Sequence, residues 1–428
     1  MNKTRCLAAL LSLGLGLAPV GDVEAQVTAF TGASIWDGTG AAVTGEATLL
    51  VENGIIRMIG PSVSVPDDAT IVSLDGAFVI PGLINTHGHV SGRWSTDDGA
   101  TEEARIRADL LLYARYGVTT VNSLGDGSTA LDLAREPHDG RVHARLSASG
   151  PVITERDPAG ARARASASVQ AGASWLKLRV DDNLGASDPM PWSAVEAVFD
   201  VGRATDVPVA THLFYLDDAR RLLEMGTSMV AHSIRDADVD GDFIDALVRS
   251  GVCYVPTLTR EVSTFVYGER PDFFADPFFQ RLAMPEEVAR LDDPAARARF
   301  REDPTAPAYR QALDQAMENL RVLQGAGARI GFGTDSGPPA RFPGYFEHLE
   351  LSLMVEAGLT PEEALRSATG AAAECLGRDD VGTLEVGRAA DFLVLGADPT
   401  REIMATRTLE RVFVGGLEVP MTGSAPAP

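Results

Sequence analysis

Between residue 78 and about residue 376, short apolar runs alternate with stretches of helical spacing. The runs cover 78–84, 118–122, 142–147, 175–180, 207–212, 228–232, 252–256 and 329–333. They are continuously apolar rather than alternating, which predicts parallel strands covered on both faces. Between them, 102–116, 161–171, 193–205, 217–225, 243–249 and 308–325 repeat apolar residues at the helical period, and a shorter stretch, 129–135, separates the second run from the third. Eight strand–helix units favour closure into a (β/α)8 barrel, the TIM barrel of α/β proteins, over an open sheet. One helix start is written out: Thr360 as N-cap, Pro361 at the first helical position and Glu363 at the third.

The flanks follow another period. Segments 26–77 and 384–420 contain strand-like pieces at 47–51, 55–59, 391–395 and 409–414, with a turn signal at Glu52-Asn53-Gly54. Neither is long enough for a comfortable core of its own, so the two termini are expected to pair into one small composite β-sandwich beside a distorted barrel spanning 78–383. Segment 260–307, between the seventh and eighth runs, is charged and punctuated by proline, and a connection of that length reads as a lid-like insertion. It contains Phe265, Tyr267, Phe273, Phe274, Phe278 and Phe279, which either cover the barrel mouth or anchor the segment to the barrel helices. The last residues, 421–428, read as a flexible tail.

The first residues have a different pattern again. Lys3 and Arg5 precede an apolar stretch over 6–20, and Val23-Glu24-Ala25 supplies a small-x-small cleavage site before Gln26. The stretch is shorter than the ~20 residues a bilayer span needs. Residues 1–25 are therefore expected to be a signal peptide, with the mature chain exported to the periplasm or secreted.

Composition narrows the function. The chain has 428 residues, 45% of them hydrophobic, with 37 Lys plus Arg against 60 Asp plus Glu, a formal charge of −23. A field of that sign repels phosphate backbones, so nucleic-acid binding is excluded as the main function and a small-molecule partner is expected. A homo-oligomer stays open. Beyond Cys6 there are two cysteines, Cys253 in an apolar run and Cys375 in a helical stretch, and both are expected as buried free thiols.

The candidate chemistry lies in where the histidines fall. His87 and His89 stand two apart just after the first run, His212 ends the fifth, His232 ends the sixth, and Asp335 follows the eighth in Gly333-Thr334-Asp335. In a barrel these strand ends converge on one face, and imidazole with carboxylate suits zinc and its first-row neighbours. His138 and His143 flank a turn and His348 lies on a helical stretch, positions that read as structural. Lys177, inside the fourth run, is costly to bury as a cation. Either it pairs with a neighbouring carboxylate, or its neutral amine takes up carbon dioxide to form an anionic carbamate (N6-carboxylysine) that bridges two metal ions.

These residues bring a resemblance with them. Pro81-Gly82-Leu83-Ile84-Asn85-Thr86-His87-Gly88-His89, Gly331-Phe332-Gly333-Thr334-Asp335-Ser336-Gly337 and the run from Gly382 to Asp391 resemble the metal-dependent amidohydrolase superfamily. The likeness is greatest to its prolidase-like branch, which includes Xaa-Pro dipeptidase and imidazolonepropionase-like members. It implies two divalent ions, Zn2+ first with Mn2+, Co2+, Ni2+ or Fe2+ as alternatives, held by His87, His89, carboxylated Lys177, His212, His232 and Asp335. Asp335 would be the catalytic proton carrier. The implied activity is hydrolysis of an amide or peptide bond in a dipeptide or N-acyl amino acid. The alternatives are a lactonase, carboxylesterase or phosphotriesterase on the same metals, or an inactive barrel that binds a ligand. Arg179, two residues past Lys177, could clamp a substrate carboxylate, and Arg93 and Tyr267 are further candidates for the pocket. Where 260–307 acts as a lid, a bulky apolar or aromatic group beside the scissile carbonyl is expected. Two departures matter. The prolidase-like branch often has a second histidine soon after His212, and here Leu213-Phe214-Tyr215-Leu216 stands instead. Deaminase members have a glutamate where Tyr215 is found, which argues against deamination.

Overall fold

A computed structural model describes residues 27–95, 99–138, 140–182 and 184–422. The expected signal peptide and the last six residues lie outside this range. The chain opens with β1 (Val27–Ile35), β2 (Thr44–Glu52), β3 (Ile55–Gly60), β4 (Thr70–Ser73) and β5 (Phe78–Pro81). The parallel strands follow: β6 (Leu83–Gly88), β7 (Val118–Ser123), β8 (Arg145–Ala148), β9 (Leu176–Arg179), β10 (Val209–His212), β11 (Met229–Ala231) and β12 (Cys253–Val255). Last come β13 (Phe392–Leu395), β14 (Leu409–Val414) and β15 (Leu417–Glu418).

Both termini build one eight-stranded sheet in the order β15-β14-β13-β5-β1-β2-β3, with β4 beside β1. Phe30, Phe392 and Phe413 interlock in its core, Phe392 and Phe413 stacked at 4.5 Å. The expected first run is thus split. Its 78–81 half pairs with β1 and β13, and only β6 joins the parallel set. The division falls at Pro81-Gly82, where a Cβ on Gly82 would sit 2.1 Å from the Thr119 hydroxyl. Glycine alone lets the chain pass from one sheet to the other there.

The seven parallel strands form two arcs, β6-β7-β8 and β9-β10-β11-β12. Single bridges continue them: Ile153 pairs with Leu178 of β9, and Ile330 with Tyr254 of β12. On the far side, Thr86 N–H donates to Phe332 O at 2.8 Å. The eighth run, 329–333, therefore lies beside both β12 and β6 without forming a strand ladder of its own. Helices Glu102–Arg115, Pro158–Gln170, Trp192–Thr205, Leu216–Met225 and Gly241–Ser250 cover the arcs where helical periodicity predicted them.

Segment 260–307 is not an open loop. It folds into short helices, Leu258–Phe265, Pro277–Gln280, Pro285–Asp292 and Pro294–Glu302, leading into Ala306–Gly325. Three begin with proline at the first turn, and Asp276 and Asp293 cap two of those. Its aromatics form a core with one another and with the helix Tyr345–Glu356: Phe279 lies 4.9 Å from both Phe342 and Tyr345. Of the two expected placements, Tyr267, Phe273, Phe274, Phe278 and Phe279 take the anchoring one, while Phe265 packs apart from them with Phe214, Tyr215 and Tyr309.

The cysteine expectation fails. Cys253 and Cys375 are joined in a disulfide that ties β12 to the helix Gly370–Cys375. Sequence spacing could not show this, because the two lie 122 residues apart and only the fold brings them together.

Candidate metal centre

The parallel strands deliver the marked residues to one end. His87 lies in β6 with His89 just after it, Lys177 is in β9, His212 closes β10, His232 follows β11, and Asp335 follows the eighth run. The backbone is unusual at three of these neighbours: φ is +136° at His232, +51° at Thr257 and +55° at Asp335. Non-glycine residues hold such angles only where the surroundings over-determine them, as at functional sites. Gly333 admits the close approach, since a Cβ there would lie 2.8 Å from His87 Cβ.

The six side chains form a continuous set. Lys177 Nζ lies 3.3 Å from His87 Nε2. The His87 ring is 4.6 Å from that of His232, which is 4.2 Å from that of His212. Asp335 Oδ1 meets His89 Nε2 at 2.8 Å and His87 Nε2 at 3.7 Å. The ligand atoms of His87, His89 and Asp335 all lie within 4.8 Å of one another, a spacing that could hold a metal ion.

Burial sets the protonation states. Desolvation, with Lys177 beside it, holds His87 well below the usual imidazole range. Desolvation also lowers His232, and it brings His212 to about 4 despite Asp181. All three are neutral, the form that binds metal. At His89 burial pulls down, but Asp126 and Asp335 outweigh it and raise the ring to about 9. Burial opposes the Asp335 carboxylate, yet Arg341, His89 and His87 hold it well below the ordinary range. Desolvation lowers Lys177 to about 7, so its amine is readily neutral, as carbamate formation requires. Two buried imidazole nitrogens, His87 Nδ1 and His212 Nε2, have no hydrogen-bond partner, although Asp181 Oδ2 stands 3.4 Å from the latter. Buried polar nitrogens without a partner are costly, and a cation among these imidazoles and the Asp335 carboxylate fits the donor set.

The other expected site residues fare differently. Arg179 is half-buried at the end of β9 with no ion-pair partner among the described residues, a position open to a ligand. Arg93 is exposed on the loop after β6. Tyr267 is fully buried and donates to Ala340 O at 2.6 Å amid Phe273, Phe274 and Phe300. That placement makes Tyr267 a packing residue, not a substrate contact.

Sequence reasoning missed the groups that orient the set. Asp126 stands 3.6 Å from His89 Nδ1 and accepts from Ser123 and from Val90 N–H. Thr257 Oγ1 meets His232 Nδ1 at 2.7 Å. Arg341 pairs with the Asp335 carboxylate and is braced by Ser263 Oγ at 3.2 Å. Beneath them, buried Glu347 accepts from Asn85, Thr334 and Ser336. Asp126 sits in Leu124-Gly125-Asp126-Gly127, which reads only as a turn.

Comparison with known proteins places this architecture. The imidazolonepropionase of Deinococcus radiodurans is 27% identical over 398 residues, covering 87% of this chain and 92% of that protein. A putative prolidase from Bifidobacterium longum superposes with a TM-score of 0.74 at 24% identity, covering 92% of this chain and 94% of the other. A Xaa-Pro dipeptidase with bound methionine gives 0.72 at 21% identity, over 92% of this chain and 99% of the other. The model of the Amidohydrolase family matches residues 78–419, a span that holds all six clustered side chains. The chain belongs to the amidohydrolase family and is a hydrolase acting on carbon–nitrogen bonds.

Proposed function

We propose that the chain is an exported binuclear metallohydrolase that cleaves the amide or peptide bond of a dipeptide or N-acyl amino acid. The observation that carries this is the convergence of His87, His89, Lys177, His212, His232 and Asp335, with two buried imidazole nitrogens left without a hydrogen-bond partner. His87, His89 and Asp335 would hold one ion and His212 and His232 the other, with carboxylated Lys177 between them. When bound, two divalent ions polarise the scissile carbonyl and make water a stronger acid. Asp335 accepts the proton of the attacking water at its carboxylate and returns it to the leaving nitrogen. Arg341 and His89 fix the direction of that carboxylate. Arg179, without an ion-pair partner among the described residues, is placed at the strand end to meet an anionic group of the substrate.

The finer architecture belongs to the same proposal. The bridges at Ile153 and Ile330 and the Thr86–Phe332 bond support a distorted (β/α)8 barrel, and the shared terminal sheet supports a composite β-sandwich. A disulfide in the barrel is consistent with export, since such bonds persist in oxidising compartments.

Metal analysis of the purified protein, combined with hydrolysis of dipeptides, N-acyl amino acids, lactones and aryl esters, tests the reading. About two metals per chain and a preference for amides are expected. Lys177→Ala should lose most activity and part of the metal. Asp335→Asn should cost several powers of ten in turnover with the fold intact. A single metal with Lys177→Ala unimpaired would remove the bridging role, and a preference for lactones over every amide would overturn the substrate class.

A further inference from the structure

A second constellation lies far along the strands from the metal centre. A partly open cavity of about 190 Å3 lies at the start of β8, where Arg145 stands, whereas the clustered histidines stand at strand ends. Among the described residues, its charged lining consists of the guanidinium groups of Arg107, Arg141, Arg145 and Arg378 and the carboxylate of Glu136, in a chain of charge −23. Four cations around one small hollow are not what such a composition distributes by default.

The carboxylates around it orient these guanidinium groups without exhausting them. Glu136 accepts from both Arg107, at 2.6 Å, and Arg141, at 2.7 Å. Asp380 clasps Arg378 through Nε and Nη2, and Asp391 clasps Arg145 through the same edge. Arg107 also spends its Nε and Nη2 on Glu103. A guanidinium has five N–H donors, so the Nη1 groups of Arg107 and Arg378 stay without an acceptor among the described residues.

Two histidines supply the opposite function. His143 Nδ1 donates to Ala144 O at 2.9 Å, which leaves Nε2 as a lone pair, and that atom is buried with no partner. His138 Nε2 donates to His143 O at 2.9 Å, leaving Nδ1 as an acceptor. Burial keeps both rings neutral, His138 at about 4. A ligand that satisfies the cavity must accept from guanidinium groups and donate to an imidazole.

We propose that this cavity is a binding site for a hydrogen-phosphate group, either free phosphate or the end of a small phosphomonoester. The group would lie on Arg107, Arg141 and Arg378 and donate its P–OH to His143 Nε2. Planar guanidinium donors match phosphate oxygens, and the protonated oxygen distinguishes phosphate from sulfate, which at neutral pH has no proton to give.

The test uses the full chain stripped of metal, so that phosphate cannot act through the metal centre, at low ionic strength where surface screening is small. Calorimetric titration with inorganic phosphate should give one site per chain, at least ten times tighter than sulfate, and phosphate should raise the melting temperature. Arg141→Gln should weaken phosphate at least tenfold, His143→Phe should bring phosphate and sulfate to parity, and His87→Ala at the metal centre should change neither. Glycerol phosphate binding tighter than free phosphate would identify the source as an ester, and weaker binding would identify it as the free ion. Should Arg141→Gln fail to fold, the phosphate-to-sulfate ratio of the wild type decides. No phosphate binding by folded wild type, equal affinity for sulfate, or binding lost in His87→Ala and kept in Arg141→Gln would each overturn the proposal.

Discussion

A buried histidine outside the metal centre gives the clearest view of how single residues set the behaviour of this protein. His348 donates from Nε2 to Tyr116 O at 2.7 Å and faces Thr406 Oγ1 with Nδ1. Burial, reinforced by Arg407 and Arg281, lowers it to about 3. The unfolded chain binds a proton there below about 6.5 and the folded one does not, so its contribution to stability is lost as pH falls from 6.5 towards 3. The slope is up to about 1.4 kcal/mol per pH unit. Asp109 acts with the opposite sign. Burial raises it to about 7 against the backbone N–H groups of Gly92 and Trp94, so its contribution is full at acid pH and lost as pH rises through 7. Urea unfolding of wild type and His348→Gln between pH 7 and 5 should show the acid limb flattened in the variant, and parallel curves would mean that the ring is not held neutral. At the candidate metal centre, Asp126→Asn should weaken metal binding about 10- to 100-fold by releasing His89, read by competition with a chelator. Unchanged affinity would mean that Asp126 serves only the Val90 turn. The four histidines and Asp335 were legible because each ends an apolar run. Asp126, Thr257 and Arg341 were not, because contacts made only across the fold leave no mark on spacing.

At the scale of elements, local signals succeeded where local physics decides. The Thr360–Glu363 pattern forms the reciprocal capping box it spells, each partner bonded to the other's backbone. Thr360→Ala should therefore cost about 1 kcal/mol, seen as a lower urea midpoint with unchanged slope. A shift within error would mean that Pro361 alone sets the helix start. Periodicity also found the covering helices. It failed where one run serves two masters: 78–84 is uniformly apolar because both of its halves are buried, yet β5 and β6 belong to different sheets. Hydropathy is blind to that partition, and the marker was Pro81-Gly82. The helices within 260–307 left no periodic signal for a different reason. They are only four to nine residues long, too short for a 3.6-residue period to emerge. Their starts were nonetheless readable as Asp276-Pro277 and Asp293-Pro294.

The whole molecule is tied together by a bond the sequence hid. The disulfide closes a loop of 122 residues, from β12 through the helices of 258–325, the eighth run and Asp335, to the helix that ends at Cys375. In the chain-entropy picture a loop of that length stabilises the folded state by about 5 kcal/mol, chiefly by restricting the unfolded one. For a chain of this size that corresponds to roughly 6 °C in melting temperature. Asp335 lies inside the closed loop while Lys177, His87, His89, His212 and His232 lie outside it, so the bond also limits how far the Asp335 carboxylate can stray from the imidazoles when the fold loosens. The double variant Cys253→Ala/Cys375→Ala should melt about 6 °C lower than oxidised wild type and lose metal earlier in a denaturant titration. Thiol titration of the unfolded protein, purified without reductant, should find neither Cys253 nor Cys375 free until a reductant is added. Two free thiols in that sample, together with equal melting of variant and wild type, would show that the bridge does not form in the cell and that the stability of the fold rests on packing alone.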